Sequence, residues 1–316
     1  MAQAAGGSGT GRLTLTDLAG ARSRHRRERG MRGLFFAAAF LSVVISVAIV
    51  ASLAGGAFDF LSRVEISKLW SEGWRPRSND FDIKTIVAGT LIVSLIAMIV
   101  ATPLGLGAAL YLSEYAKPRP RRLLKPILET LASVPSVVMG FFALRVISPD
   151  LVQRLFGSDV PLFNFTAAGI AVGLLVTPLV ASVSEDAMHA VPSALREASF
   201  GLGARRRTTS LRIVMPAAVS GITAAVILGI SRAIGETMIV AIAAGGTGGS
   251  LFTVDPLDSG QTMTAAITAL ATGSDQVRGS GPAYYSLFFV GLLLFFFTLA
   301  LNVASERFVR RVRRQY

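Results

Sequence analysis

Long runs of apolar residues, separated by short clusters that hold nearly all the charge, constrain this chain more than any other feature. Six blocks qualify or nearly do as membrane spans: 33–53, 86–112, 127–147, 165–184, 217–245 and 285–304. Crossing the hydrocarbon core takes about 20 mainly apolar residues. Lipid leaves no water for unpaired backbone groups, so each block is expected to be helical. None alternates as the strands of a membrane barrel would. Of the 316 residues, 52% are hydrophobic and only 16% charged, against about a quarter charged in soluble domains. The expectation is an all-α integral membrane protein with six transmembrane helices. Ser52-Leu53-Ala54 fits a small-x-small cleavage site, but the first block exceeds the roughly 7–15 residues of a signal core and follows a long tail, so it reads as a span.

The net charge is +12. On a soluble protein that would suggest nucleic acid; here its placement argues for membrane topology instead. If the six blocks are spans, one face carries 22 Lys and Arg and the other 7. The rich face holds residues 1–32, the loops 113–126 and 185–216, and the C-terminal stretch 305–316. The positive-inside rule puts that face, and both termini, in the cytoplasm. Residues 1–32, rich in Gly, Ala, Ser and Arg, read as a disordered basic tail beside anionic lipid heads. Residues 305–316 read as a second basic cytoplasmic tail, and 33–304 as the transmembrane domain.

Chemistry in this chain is sparse. Cysteine is absent and the two histidines, His25 and His189, are far apart in sequence. No HExxH, EF-hand loop, GxSxG or GxxxxGK[ST] is present. The sequence "GTGGS" at 246–250 lacks the Walker lysine and reads as an outer loop, so any ATP that drives this protein binds another chain. The external segment 54–85 is too long for a turn, and part of it is expected to be helical, with Trp70 and Trp74 at the interface. Pro103, Gly105 and Gly107 in the second block, and Pro135 and Gly140 in the third, predict bends.

Between the fourth and fifth blocks lies "EDAMHAVPSALREASFGLGARRRTTSLRIVMP". Pro192 suits a first helical position. Gly201 and Gly203 can end that helix, and a second short helix follows over 204–213, with Pro216 starting the next span. The segment suits an ordinary basic loop or a docking element. Glu197-Ala198-Ser199, then Gly203, then Ile213 and Pro216 resembles the EAA loop of ABC-importer permeases, with Ser199 where the second Ala stands and Met215 where a Leu stands. "LYLSEYA" (110–116), "LASVPSVVMGFFAL" (131–144) and "SRAIGETM" (231–238) resemble the phosphate-specific permeases of PstC type. The resemblance implies a type I ABC-importer permease fold in a bacterial inner membrane. It implies a PstA-like second permease, two PstB-like ATPase subunits that hold ATP and Mg, and an external PstS-like phosphate-binding protein. The loop 185–216 would then be the coupling helix that docks on the ATPase.

Arg232 and Glu236 stand in the middle of the fifth block. A charge at a span centre costs about 2.5–3.5 kcal/mol on insertion scales, so such residues face a bundle interior or a watery path. Four apart, they share a helix face. From the residues alone, mutual neutralisation and a place on an anion path are both open. The resemblance to phosphate permeases favours the second, because a guanidinium's planar donors match paired oxygens. Arg145, near the outer end of the third block, suits snorkelling to the interface or an outer vestibule. Glu129, at the inner end of the same block, reads as interfacial. Rival functions are a permease for sulfate or molybdate, a membrane scaffold or sensor, and a channel, the last two needing no ATPase dock.

Overall fold

The computed structural model describes residues 22–245, 249–272 and 281–313. It is helical almost throughout. Among the described residues five helices are long and apolar enough to cross a membrane, and a sixth crossing is reached if one sharply bent pair counts as a single span. By contacts the chain divides at Ser52 and Leu53.

The first unit is the leading part of helix α1, Arg22–Arg63. Residues 22–32, expected to be tail, are helical; residues 1–21 lie outside the described residues. Arg, Glu and Met are good helix formers, and they carry the helix out of the apolar stretch toward the N-terminus. The apolar side chains of residues 34–49 are exposed, as suits a helix bathed in lipid.

The second unit is built on the pairing of α2 (Ile83–Leu110) with α5 (Phe165–His189). Small residues set this contact. A Cβ on Gly173 would lie 2.7 Å from the Ala97 carbonyl oxygen, and one on Gly169 2.7 Å from the Ile96 side chain. Without a hydrophobic drive between helices in lipid, close backbone approach supplies the packing. Val93, Ala97, Ala101, Ala168, Val172 and Val176 fill the seam. More of α5 is buried than of any other described span, so it is the centre of the bundle.

Two spans differ from expectation. The third block splits at Ser133–Pro135. Before the break lies α3, Pro118–Ala132, with no buried residue; after it, α4 runs Ser136–Phe156. Pro135 has no N–H and steers the residue before it out of helical geometry. The crossing is therefore displaced outward from 127–147 to 136–156. Glu129, expected at a span's inner end, lies on α3, exposed. Short α6 (Ser193–Gly201) is followed by α7 (Arg206–Ala217), which meets α8 (Val219–Ile234) at a 71° bend. Pro216 sits inside α7, so Val219 rather than Pro216 opens the next span. That span breaks again after Ile234, before α9 (Met238–Val240) and a π-helical turn, Ala241–Gly245.

Part of segment 54–85 is helical as expected, since α1 runs on to Arg63 and a short 3-10 turn covers Ile66–Trp70; other residues of the segment join the loop after the fifth block in a small sheet. Strand β1 (Gly73–Arg75) lies between β2 (Asp80–Phe81) and β3 (Ser250–Leu251), antiparallel to both. Trp74 is 1% exposed and packs edge-on against Phe81. Trp70, 62% exposed, is alone in suiting the interface. Helix α10 (Met263–Thr272) is too short to span and largely buried. Helix α11, Pro282–Arg313, closes the chain. It carries helix into the expected C-terminal tail, of which residues 314–316 lie outside the described residues, as do 246–248 of the expected outer loop.

Candidate functional site

The break in the fifth span makes the first half of the site. Helix α8 ends at Gly235, and Glu236 follows in the gap before α9. The Glu236 N–H donates to the Ala233 carbonyl at 3.3 Å. Its carboxylate accepts a long 3.5 Å bond from the Ile239 N–H, at the start of α9. Its carbonyl accepts from the Thr264 hydroxyl of α10 at 2.8 Å. Glu236 is thus held from several sides, and its side chain is 6% exposed.

Arg232 is held far less. It lies in the last turn of α8, where the helix dipole favours a cation, and its side chain is 56% exposed. Among the described residues its one ion pair is with Glu236, at 3.9 Å, too long for a hydrogen bond. Expected to share a helix face, the two residues instead straddle a helix end. Ala224, Leu228 and Arg232 form an exposed stripe along α8, so the guanidinium stands on a face that the described chain leaves open.

Arg145 moves with the third span. In α4 it occupies the middle rather than the outer end, within a π-helical stretch, Ala143–Val152. It is exposed. Among the described residues no hydrogen bond or ion pair joins it to Arg232, Glu236 or any other group.

The second half of the site lies in the segment expected to be cytoplasmic. Helices α6 and α7 form a hairpin whose turn is Leu202, Gly203, Ala204 and Arg205. Pro192 precedes α6 as its N-cap rather than opening it. Gly203 has φ +79°, a left-handed conformation that favours glycine. The Gly203 N–H donates to Phe200 at 2.9 Å and the Ala204 N–H to Ser199 at 3.1 Å, closing the end of α6. The turn shows Leu202, 90% exposed, with Leu195 and Phe200 on the same arm. Glu197 and Ala198 are exposed, Ser199 is buried, and Ile213 and Pro216 are partly covered.

Buried ion pairs beneath the hairpin escaped sequence reasoning. Arg196 gives Glu114 two bonds, 3.2 Å from Nε and 2.9 Å from Nη2. Glu185, 1% exposed at the inner end of α5, accepts from Arg121 at 2.7 Å and meets Lys125 at 3.3 Å. Burial pulls the Lys125 ammonium down, but the hydrogen bond and charge of Glu185, with Asp186 beyond, outweigh it, and its pKa stands above the ordinary lysine value. The available signal was an acid at the cytoplasmic end of two apolar blocks, where basic residues dominate.

A small-residue helix bundle, a span broken around a charged pair and a helical hairpin between two spans define a polytopic membrane protein. The chain belongs to the family of binding-protein-dependent transport system inner membrane components, matched over residues 101–314. It is 33% identical to the phosphate transport system permease protein PstC of Mesorhizobium japonicum, covering 87% of this chain and 88% of that one. It is 29% identical to PstC of Pasteurella multocida, with 89% and 90% covered. A probable ABC transporter permease protein of Bacillus subtilis, YqgH, is 31% identical, with 87% and 90% covered. Among solved structures, a bacterial alginate ABC transporter overlays with TM-score 0.63 at 16% identity, covering 90% of this chain and 97% of that one. The MetNI methionine ABC transporter overlays at 0.52 and 19% identity, with 71% and 91% covered. The chain is therefore a multi-pass inner-membrane ABC-importer permease, a transport subunit rather than an enzyme. Family membership implies an ATPase and a substrate-binding protein as partners.

Proposed function

We propose that this chain is one permease half of an ATP-driven importer of inorganic phosphate. The observation that carries the proposal is Arg232: a cation in the fifth span, open on one side and only loosely engaged by its acid, in a chain whose relatives are named phosphate permeases. Its planar donors suit a tetrahedral oxyanion. Glu236, fixed in the helix break, keeps the site from holding the anion too firmly, since transport needs binding that also releases. Arg145, exposed at the middle of α4, serves the same path.

The partners are a PstA-like permease, two PstB-like ATPases that bind ATP and Mg, and a PstS-like protein that delivers phosphate. Glu197, Ala198, Ser199, Gly203, Ile213 and Pro216 belong to the hairpin that docks on the ATPase. ATP binding closes the ATPase pair, the hairpin follows, and the spans switch access from outside to inside. Uptake of radiolabelled phosphate by the complex in liposomes, with sulfate and molybdate as competitors, tests the substrate. ATP-dependent phosphate uptake that excess sulfate or molybdate leaves intact is the expected result; uptake of either competitor in its place would give the site to another oxyanion.

A further inference from the structure

Both arms of the cytoplasmic hairpin hold the same short piece of chain. Helix α2 ends in a π-helical turn, Tyr111–Tyr115, a widened geometry found mostly at functional positions. From the first arm, Arg196 reaches Glu114 in that turn with two charge-assisted bonds. From the second arm, the guanidinium of Arg206 lies 5.3 Å from the centre of the Tyr115 ring, within cation–π range. Arg196 does more than pair. It donates to the Val191 carbonyl at 2.6 Å from Nη1 and to the Met188 carbonyl at 2.8 Å from Nη2. One side chain thus ties α6 to the end of α2, the last turn of α5 and the connector between α5 and α6. Glu114 is 6% and Arg196 20% exposed; neither belongs to the surface that would meet a partner.

We infer that Arg196, Glu114 and Tyr115 form a latch through which the hairpin moves α2 and α5, the central pair of the bundle, as one body. The chain runs from the second arm of the hairpin, α7, directly into α8. A push on the hairpin would otherwise reach the bundle through the 190–192 connector to α5, through the apolar cluster of Ala109, Met188 and Val214, and through that bent route, whose 71° corner makes it a poor strut. The latch adds a directed polar tie from α6 to the end of α2, so that the push is taken by the packed seam of α2 and α5 together, which is stiff because small residues bring the backbones together. These are positioning residues: they touch neither substrate nor nucleotide. The inference rests on the docking role proposed for the hairpin.

The test uses the whole complex in liposomes, with Arg196→Gln, Glu114→Gln and Tyr115→Ala. ATPase subunits should remain bound, since the exposed turn is untouched. Phosphate taken up per ATP hydrolysed should fall about tenfold, within the range of coupling effects. An unchanged ratio in all three variants would overturn the latch. If Arg196→Gln does not assemble, Arg196→Lys, which keeps the charge but loses the fork, and Glu114→Gln decide by the same ratio. A readout independent of substrate is the distance between nitroxide labels at positions 104 and 193, simple to place because the chain has no cysteine. It should stay constant with and without ATP in the wild type and spread in Arg196→Gln. A distance that changes with ATP in the wild type would sink the latch. Loss of ATPase binding in none of the hairpin turn variants would instead sink the docking role. Absence of phosphate uptake by the wild type would sink the substrate assignment while the label distance still decides the latch.

Discussion

Ser199 and Thr209 join hydroxyl to hydroxyl at 2.9 Å across the two arms of the α6–α7 hairpin, both buried. Where the family motif has a second alanine, this chain has a serine that stitches its hairpin shut. Ser199→Ala should cost about 1 kcal/mol, the usual net worth of one such bond, with uptake near normal. Thr209→Val should cost somewhat more, because it strands the Ser199 hydroxyl. Thermal unfolding of the purified complex reads both. A larger loss in Ser199→Ala would mean the hydroxyl does more than join the arms.

Gly203→Ala should cost about 1–2 kcal/mol through left-handed backbone strain alone, since no atom lies within 4 Å of an added Cβ. Gly203→Asp adds a charge to the turn that would meet the ATPase and should abolish ATPase co-purification while the protein still inserts. Retention of both ATPase subunits with full uptake in the aspartate variant would remove the docking role.

Arg232→Gln should nearly abolish phosphate uptake. Assembly should survive, because the guanidinium is largely exposed and its contact with Glu236 is long. Glu236→Gln keeps an acceptor for the Ile239 N–H and should assemble, with uptake impaired by slow release. The double variant should assemble and still not transport. Uptake near wild type in the double variant would show the pair to be merely structural.

Lys125 and Glu185 set a pH limit well above the working range. The lysine's folded pKa is raised above the ordinary 10.5, so its stabilising share is complete below that value and is lost only as pH rises through the folded pKa. Stability of the α3 attachment should therefore not change through Lys125 between about pH 6 and 9. Glu185→Gln removes the buried carboxylate that Arg121 and Lys125 share and should loosen α3 at every pH. Proteolysis within 118–132, compared across pH, reads both; a wild-type protein that becomes sensitive by pH 9 would contradict the first claim.

Topology can be read with single cysteines. Val254→Cys, at an exposed position on the face that charge placement assigns to the exterior, should react with an impermeant maleimide in intact cells. Arg122→Cys on α3 should react only after the membrane is opened. The reverse pattern would overturn the orientation.

Composition by itself determined that this chain lies in a membrane and where most of its apolar helices fall, and charge placement set the expectation for which face its loops prefer. Hydrocarbon demands long uncharged helices, and basic loops sort to one side. Residue spacing also marked the hairpin and the charged pair. It could not locate the true ends of the third and fifth spans, because an apolar run looks the same whether proline or glycine breaks it or a neighbouring helix repairs it. Tertiary structure decided that Arg145 sits mid-helix and that Glu236 is buried in a break while Arg232 is open. It likewise turned Trp74 into the core of a small sheet. Most of all it brought Arg196 to Glu114, 82 residues apart in sequence. A buried ion pair is fixed by which helix ends meet, and that is set by the close seam of α2 and α5, not by any local pattern around either charge.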